Sequence, residues 1–340
     1  MAKYSFLDDY SEGCHPNILK ALSATNFTQQ TAYGDDEYSI EAKQLIRKRL
    51  NNMNAGVYFV SGGTQANLII TSSILKSHEA IISAEIGHIL GREAGAIEAT
   101  GHKIISMKTE NGKLSTDDLQ LALNNHTAIP HMVKPKMVYI SNATEIGTIY
   151  TKQELKSIYR FCKEKQLYLF LDGARLATAL SCEKNDLTLE DLSILTDIFY
   201  IGGTKNGALI GEAIVINNPA LNDDFPFHIK QRGAMIAKGR LLGLQFLELF
   251  KKNLYFELAG DANILSKKLS QGIEKKGYSL SAATETNQIF AIFPNELINR
   301  LDDNFAFYIW EKKDKNHSVV RLVTSWSTNE KEIDKFIENL

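Results

Sequence analysis

Short apolar runs alternate with segments of helical period along the first two thirds of the chain. The runs are rich in β-branched and aromatic residues and are bounded by polar or glycine turns, so the pattern predicts strands. We predict strands at residues 57–60, 80–83, 103–107, 137–141, 168–172, 198–201 and 213–217. We predict helices near residues 87–94, 116–123, 152–165 and 189–195. This alternation favours an α/β fold with a mostly parallel sheet covered on both faces, and functional residues at the carboxyl ends of its strands.

The remainder of the chain has a different pattern. The segment after Pro226 is helical in period with several interruptions. The last part is predicted as strand (QIFAIF), helix (NELINRL), strand (FAFYIW), strand (VVRLVTSW) and helix (NEKEIDKFIENL). The opening residues are polar and rich in turn formers. We therefore predict an amino-terminal arm at residues 1–13, a large domain at residues 14–250 and a smaller carboxyl-terminal α+β domain at residues 251–340.

Composition and charge exclude several classes of protein. The 340 residues include 38 basic and 40 acidic side chains, for a net charge of −2, and 44% of the residues are hydrophobic. No basic excess suggests nucleic acid as a partner, and no apolar run has the length of a membrane span. The three cysteines lack CxxC spacing and HExxH is absent, so we predict neither a disulfide framework nor a metal site. We expect a reducing, cytoplasmic location.

Two glycine turns carry the same three letters, GGT. The first lies in SGGTQAN at residues 61–67, between a predicted strand and a predicted helix. Unobstructed N–H groups at a helix N-terminus bind phosphate well, although the same letters also occur in simple turns and caps. The second lies in IGGTKNGALIG at residues 201–211 and presents Lys205 between two apolar runs.

Lys205 is the candidate nucleophile. Burial of an ammonium group is costly and lowers the pKa of a lysine, which favours the neutral amine. A neutral amine attacks aldehydes, and Schiff-base chemistry with pyridoxal phosphate needs such an amine. The alternative is a surface lysine on a glycine-rich turn.

Three further residues place a charge or an imidazole beside apolar segments. Asp172 ends a nearly all-apolar strand, where it could pair with a protonated pyridine nitrogen, with Arg175 or with the next helix N-terminus. His88 follows a strand and could lie over a flat ring or carry a proton, although a core or surface histidine is commoner. Arg321, in the apolar stretch VVRLVTSW, calls for an anion, either a substrate carboxylate or an internal carboxylate.

Six motifs follow one another over nearly the whole chain: YGDDEYS, GGTQANL, GHI with REAGAIEATGHK, LDGARL, GGTKNGA and RLVTSW. Together they resemble the threonine aldolase and β-eliminating lyase family. The resemblance implies a pyridoxal-phosphate-dependent enzyme with the fold of aspartate aminotransferase, fold type I. It also implies a homodimer or homotetramer whose active site lies between two subunits. Arg232 or Lys238 of the partner subunit would then reach the cofactor phosphate.

The resemblance implies a role for each candidate residue. Lys205 would form the Schiff base, Asp172 would pair with the pyridine nitrogen, and His88 would stack on the cofactor ring. The residues near the cofactor phosphate would be Gly63, Thr64 and Thr204. The residues that would bind the amino acid substrate are Ser11, Glu145, Arg175 and Arg321, of which Arg175 would also contact the cofactor.

The resemblance implies a lyase of amino acid metabolism that cleaves L-threonine or L-allo-threonine to glycine and acetaldehyde by retro-aldol chemistry. Family members commonly carry Asn-Thr-His after the strand at residues 137–141. Thr144 and Glu145 stand here instead, so Glu145 or a water bound to His88 would serve as the base. The alternatives are β-elimination from another β-substituted amino acid and a binding protein without turnover. The absence of GxGxxG weakens a dinucleotide-dependent function.

Overall fold

The computed structural model describes residues 3–340. Its strands are β1 (Tyr4–Ser5), β2 (Gly56–Val60), β3 (Glu79–Ala84), β4 (Lys103–Met107), β5 (Lys134–Ser141), β6 (Tyr168–Asp172), β7 (Ile198–Gly202), β8 (Glu212–Ile216), β9 (Ser279–Leu280), β10 (Gln288–Pro294), β11 (Phe305–Ala306), β12 (Tyr308–Lys312) and β13 (His317–Val323). Its helices are α1 (Pro16–Ala24), α2 (Glu37–Arg49), α3 (Gly63–Ile74), α4 (His88–Gly91), α5 (Thr116–Asn124), α6 (Lys152–Glu164), α7 (Leu176–Leu180), α8 (Leu189–Leu195), α9 (Phe225–Gln231), α10 (Arg240–Lys251), α11 (Leu254–Lys275), α12 (Asn295–Asp302) and α13 (Glu330–Glu338).

A seven-stranded sheet forms the centre of the larger part of the molecule. Its strand order is β2-β8-β7-β6-β5-β3-β4. Only β8 runs antiparallel to its neighbours, β2 and β7, and the other neighbouring pairs of this sheet are parallel. The predicted α/β fold with a mostly parallel sheet is confirmed. The carboxyl ends of β2, β5, β6 and β7 therefore lie along one edge.

Apolar side chains cover both faces of this sheet. Every residue of β3, β7 and β8 is buried. Alternate residues of β6 belong to different clusters, since Leu169 and Leu171 pack on one face and Phe170 packs on the other. Burial on both faces explains why these strands are nearly continuous apolar runs in the sequence.

The predicted elements differ from the observed ones in two places. The predicted helix at residues 87–94 is wrong beyond its first turn, because α4 ends at Gly91. Ala94 and Gly95 follow with φ angles of 50° and 74°, which a right-handed helix excludes. The stretch FAFYIW, predicted as one strand, contributes to two, since β11 pairs with β1 and β12 pairs with β13.

A smaller antiparallel sheet, in the order β12-β13-β10-β9, packs with α11, α12 and α13. The amino-terminal arm is attached to this unit, because β1 pairs with β11 and Phe6 is fully buried in its core. The predicted domain boundaries after residues 13 and 250 stay predictions. None of the helices within residues 3–340 combines the length and the apolar character needed to span a bilayer.

Candidate active site

Two adjoining cavities lie at the carboxyl edge of the seven-stranded sheet. The inner cavity, of about 300 Å³, is lined by parts of both glycine turns and by Asp172. The outer cavity, of about 490 Å³, is lined by residues of the arm, of α4 and of the small domain, including Arg321. The residues that line both cavities are Tyr10, His88, Glu145, Arg175 and Lys205. The fold thus brings most of the predicted site residues to one place.

Asp172, the last residue of β6, is 4% exposed and lines the inner cavity. Its Oδ1 accepts hydrogen bonds from the Tyr200 hydroxyl (2.5 Å) and the Ala174 N–H (3.0 Å). Its Oδ2 accepts from the Tyr139 hydroxyl (2.5 Å) and from Asn67 Nδ2 (3.4 Å). These neutral donors hold the carboxylate in position. Asp172 does not form the ion pair with Arg175 that the sequence left open.

We expect Asp172→Asn to lower the free energy of unfolding by about 1–3 kcal/mol, because an amide cannot accept all of these hydrogen bonds and leaves a buried hydroxyl unpaired. Urea unfolding of the cofactor-free protein measures the loss. Tyr139→Phe is the matched control: it removes one donor, the carboxylate keeps its bonds to Tyr200 and Ala174, and the loss should be smaller. Equal stability of wild type and Asp172→Asn would contradict this hydrogen-bond assignment.

Both glycine turns contribute to the inner cavity. No side chain of residues 3–340 caps α3, so the N–H groups of its first turn lack a capping partner there. Gly63 is required by close packing, because a Cβ at this position would lie 2.9 Å from the Tyr200 hydroxyl oxygen. Thr64 lines the same cavity, as does Thr204 of the second turn. Gly63, Thr64 and Thr204, which were predicted from the two GGT motifs, therefore border the same cavity.

Lys205 is partly buried and lines both cavities. Its Nζ lies 5.9 Å from the centre of the Tyr10 ring and forms no ion pair within residues 3–340. Burial lowers the pKa of Lys205, and the Arg175 guanidinium lowers it further, against the attraction of nearby carboxylates. The neutral amine is therefore more abundant at neutral pH than in an exposed lysine. The amine belongs to the cavities rather than to an exposed turn.

His88 is the first residue of α4 and is fixed by two carboxylates. Its Nδ1 lies 3.0 Å from Glu93 Oε1, and its backbone N–H donates to Glu145 Oε1 (2.9 Å). Because Glu93 accepts, Nδ1 carries the ring proton and Nε2 is free to act as an acceptor when the imidazole is neutral.

Sequence reasoning missed Glu93 and Asn67, which connect His88 to Asp172. Asn67 Nδ2 donates to Glu93 Oε1 at 2.7 Å and is 3.4 Å from Asp172 Oδ2. Both residues are buried. Glu93 lies in the motif REAGAIEATGHK and Asn67 lies in GGTQANL. Membership of these motifs was the feature of the sequence that could have identified them as site residues.

Glu145 lines both cavities. Its Oε1 also accepts a hydrogen bond from Ser141 Oγ (2.7 Å). Burial raises the pKa of Glu145, and the negative charge of Asp172 adds to the increase, while its hydrogen bonds oppose it. The carboxyl group therefore retains its proton to a higher pH than an exposed glutamate does. Its neighbour Thr144 is buried and lines the inner cavity.

Arg175 is paired with an arm residue that sequence reasoning missed, Asp9. Arg175 Nε and Nη2 donate to the two carboxylate oxygens of Asp9 at 2.7 and 3.0 Å. Asn287 Nδ2 also donates to Asp9, at 2.9 Å. The side chains of Asp9 and Arg175 are only 1% and 12% exposed. The pair ties the arm to the residues that follow β6.

Arg321, on β13, lines the outer cavity. Its Nη2 donates to the Leu7 carbonyl (3.0 Å) and lies 3.3 Å from Asp8 Oδ1. Its Cζ is 4.9 Å from the centre of the Tyr308 ring and 5.4 Å from that of Trp310. Its Nε is buried and has no hydrogen-bond partner within residues 3–340. Asp8 is thus an internal ionic partner of Arg321, and the guanidinium also borders the outer cavity, where a carboxylate ligand suits its remaining donors.

Three predicted residues lie outside the lining of both cavities. Ser11 is exposed, and its hydroxyl lies 3.5 Å from the Asp8 carbonyl oxygen. Arg232 and Lys238 are also exposed. The roles assigned to these residues stay predictions.

Comparisons with known proteins agree with this geometry. Residues 7–295 match the family described as beta-eliminating lyase. The low specificity L-threonine aldolases of Pseudomonas sp. and Pseudomonas aeruginosa are 33% and 32% identical over 95% of this chain and 92% of their own length. A threonine aldolase structure from Leishmania major is 49% identical, has a TM-score of 0.97 and covers 98% of both chains.

A more distant structure identifies the fold class. An aspartate aminotransferase from Thermus thermophilus has a TM-score of 0.73 over 99% of this chain and 90% of its own, at 14% identity. The fold is therefore that of aspartate aminotransferase, as expected from the motifs. With a family match over most of its length, the chain is a member of the β-eliminating lyase family, a family of enzymes.

Proposed function

We propose that the chain is a pyridoxal-phosphate-dependent aldehyde-lyase that cleaves L-threonine and L-allo-threonine to glycine and acetaldehyde. The observation that carries this proposal is the position of two cations on connected cavities. Lys205 supplies an amine of lowered pKa, and Arg321 supplies a guanidinium whose Nε has no hydrogen-bond partner in the described part of the chain. An amino acid presents the matching carboxylate. The relatives named low specificity L-threonine aldolase support this choice of substrate.

The inner cavity offers a complementary group for each part of pyridoxal phosphate. The amine of Lys205 suits the aldehyde, the uncapped start of α3 suits the phosphate, and the carboxylate of Asp172 suits a protonated pyridine nitrogen. Gly63, Thr64 and Thr204 complete the proposed phosphate site. When bound, the cofactor supplies an electron sink for the pair released as a bond to the substrate α-carbon breaks.

The residues of the chain then perform binding and proton transfer. Arg321 and the remaining Nη1 of Arg175 orient the substrate carboxylate. His88, fixed by Glu93, would stack on the ring of the cofactor. Glu145 accepts the proton of the substrate β-hydroxyl, because its raised pKa makes it a stronger base than an exposed carboxylate.

A second candidate function is β-elimination from another β-substituted amino acid. The feature in its favour is the segment after β5, which carries Thr144 and Glu145 where family members commonly carry Asn-Thr-His. Incubation of the holoprotein with L-threonine, L-allo-threonine and L-cysteine distinguishes the two functions. We expect glycine and acetaldehyde from both threonine isomers. Pyruvate and sulfide from cysteine, without any glycine from threonine, would exclude the aldolase.

We expect Arg321→Lys to lower kcat/KM for threonine by roughly 10- to 100-fold, because the carboxylate loses a charge-assisted hydrogen bond. Most of the loss should be an increase in KM, measured by steady-state kinetics. Arg92→Lys is the matched control, since the Cζ of Arg92 also lies over the Trp310 ring, at 5.2 Å. A similar loss in both variants would show that stacking, rather than carboxylate binding, is the property that matters.

The proposal also includes a cytoplasmic homo-oligomer, dimer or tetramer, with the site between two subunits. The support is that the inner cavity has few cations to bind a phosphate. Among residues 3–340, its basic groups are Lys205, Arg175 and the imidazole of His88, and Arg175 is paired with Asp9. Arg232 or Lys238 of the partner subunit would supply the charge for the phosphate. Sedimentation of the holoprotein, and loss of cofactor affinity in variants of these two residues, test this arrangement.

A further inference from the structure

Glu212 is a buried carboxyl group between the two glycine turns, and neither the sequence motifs nor the proposed reaction uses it. It is 4% exposed and is the first residue of β8. Its register partners are Val60 at the end of β2 and Gly202 at the end of β7. Because β8 runs antiparallel to both strands, its first residue lies where both turns begin. Glu212 accordingly lines the inner cavity.

The contacts of Glu212 leave its charge largely uncompensated. Its Oε2 accepts a hydrogen bond from the Gly203 N–H (2.8 Å). Within residues 3–340 it forms no ion pair, although Lys205 borders the same cavity. A buried carboxylate without a cationic partner is unfavourable, and the neutral acid is favoured in its place.

Burial raises the pKa of Glu212 to about 7, with Asp172 adding to the increase and the Gly203 N–H, Lys205 and the Thr204 hydroxyl opposing it. The other titratable groups that face it are the hydroxyls of Tyr200 on β7 and Tyr255 on α11. The pKa of each of these tyrosines is raised, first by burial and then in part by Glu212. α3 brings no titratable side chain. Glu212 is therefore a group of this cluster that changes charge close to neutral pH.

The same two turns form the proposed phosphate site, which creates a conflict of charge. A phosphate monoester is mostly a dianion above its second pKa of about 6. A carboxylate between the turns repels the dianion, whereas a neutral carboxylic acid donates a hydrogen bond to it. We propose that Glu212 is a further binding residue for the phosphate of the cofactor and binds it as the neutral acid, so that cofactor loading takes up a proton. This inference rests on the proposed function.

The expected pH dependence follows from the direction of this coupling. Phosphate binding favours protonated Glu212, so the pKa of Glu212 is higher in the complex than in the free protein. Below the pKa that Glu212 has in the free protein, its carboxyl group is already neutral and adds no pH dependence to phosphate affinity. Above it, affinity falls by about tenfold per pH unit until the pKa of the complex is reached.

The experiment compares two ligands that cannot form a covalent bond with Lys205 through an aldehyde. Pyridoxamine 5′-phosphate and pyridoxamine share the ring and the amine, so the ratio of their dissociation constants isolates the phosphate. Fluorescence titration of the cofactor-free protein between about pH 6 and pH 9 measures both constants. Above the pKa of Glu212, the preference for pyridoxamine 5′-phosphate over pyridoxamine should fall by about tenfold per pH unit. In Glu212→Gln the ratio should be nearly constant and should favour the phosphate at high pH. Glu145→Gln, which changes another buried carboxyl group of the same cavity, should keep the wild-type slope.

A slope in Glu212→Gln equal to that of wild type would overturn the inference, as would loss of phosphate preference in this variant at every pH. Calorimetry of the wild type in two buffers of different ionisation enthalpy gives an independent readout that needs no variant. At a pH above the pKa of Glu212, pyridoxamine 5′-phosphate should take up more protons than pyridoxamine, approaching one per site. Equal uptake would reject the role of Glu212, whereas a wild type that binds neither pyridoxamine 5′-phosphate nor pyridoxal phosphate would reject the proposed cofactor itself.

Discussion

Replacement of Lys205 by alanine is expected to abolish covalent attachment of pyridoxal phosphate and to lower turnover on the order of 10⁴-fold. Lys205 supplies an amine to both cavities, and burial together with Arg175 lowers its pKa. Lys205→Arg should be equally inactive, because a guanidinium keeps the positive charge but is not a nucleophile at neutral pH.

Borohydride reduction of the holoprotein followed by peptide mass analysis measures the attachment. Wild type should carry one pyridoxyl group on the peptide that contains Lys205. Lys43→Ala is the matched control, because burial also lowers the pKa of Lys43, whose Nζ donates to the Gly34 carbonyl outside both cavities. If the wild-type label were found on another lysine, or nowhere, the assignment of Lys205 would be wrong and a protein without turnover would be favoured.

Asp9→Ala is expected to lower the free energy of unfolding by about 3–5 kcal/mol, because it leaves the guanidinium of Arg175 buried without its anion. The loss is large for a single substitution in the arm, since Asp9 also accepts a hydrogen bond from Asn287. Urea unfolding at neutral pH measures it. Glu183→Ala is the matched control. The side chains of Glu183 and Lys267 are 81% and 52% exposed, so loss of their ion pair should lower the free energy of unfolding by less than about 1 kcal/mol.

The stability effect of Asp9 should depend on pH. Burial raises the pKa of Asp9, but the charge and hydrogen bonds of Arg175 lower it more, so the net value lies below the usual 3.8. The stabilisation is therefore present above the unfolded-state pKa and is lost as the pH falls through the folded-state pKa. The difference in the free energy of unfolding between wild type and Asp9→Ala should therefore become smaller at acidic pH. Asp9→Ala combined with Arg175→Met should lose less stability than the sum of the single variants, and strict additivity would show that the two side chains are not coupled.

Much of the fold could be predicted because the strands are buried on both faces. The resulting apolar runs are visible in the sequence, and β4 and β6 were predicted to the residue. The prediction failed at residues 87–94, where Ala94 and Gly95 adopt positive φ angles that helical periodicity does not reveal. It also failed to divide FAFYIW, because the partner of β11 is β1, about 300 residues earlier in the chain.

The sequence by itself determined the residues whose chemistry conflicts with their local surroundings. Lys205 between apolar runs, Asp172 at the end of an apolar strand and Arg321 within another such strand each required a compensating partner. Their identities and the order of the motifs were sufficient to predict the family and the fold, and the cofactor stays a prediction.

Only the tertiary structure decided which partners these charges have. It pairs Arg175 with Asp9 rather than Asp172, surrounds Asp172 with tyrosine hydroxyls, and places Glu212 between the two glycine turns. The physical reason is that pairing and desolvation depend on distances between residues far apart in the chain, such as the 166 positions that separate Asp9 from Arg175. Local sequence specifies that a buried charge needs a partner, and the packing of distant segments specifies which partner it receives.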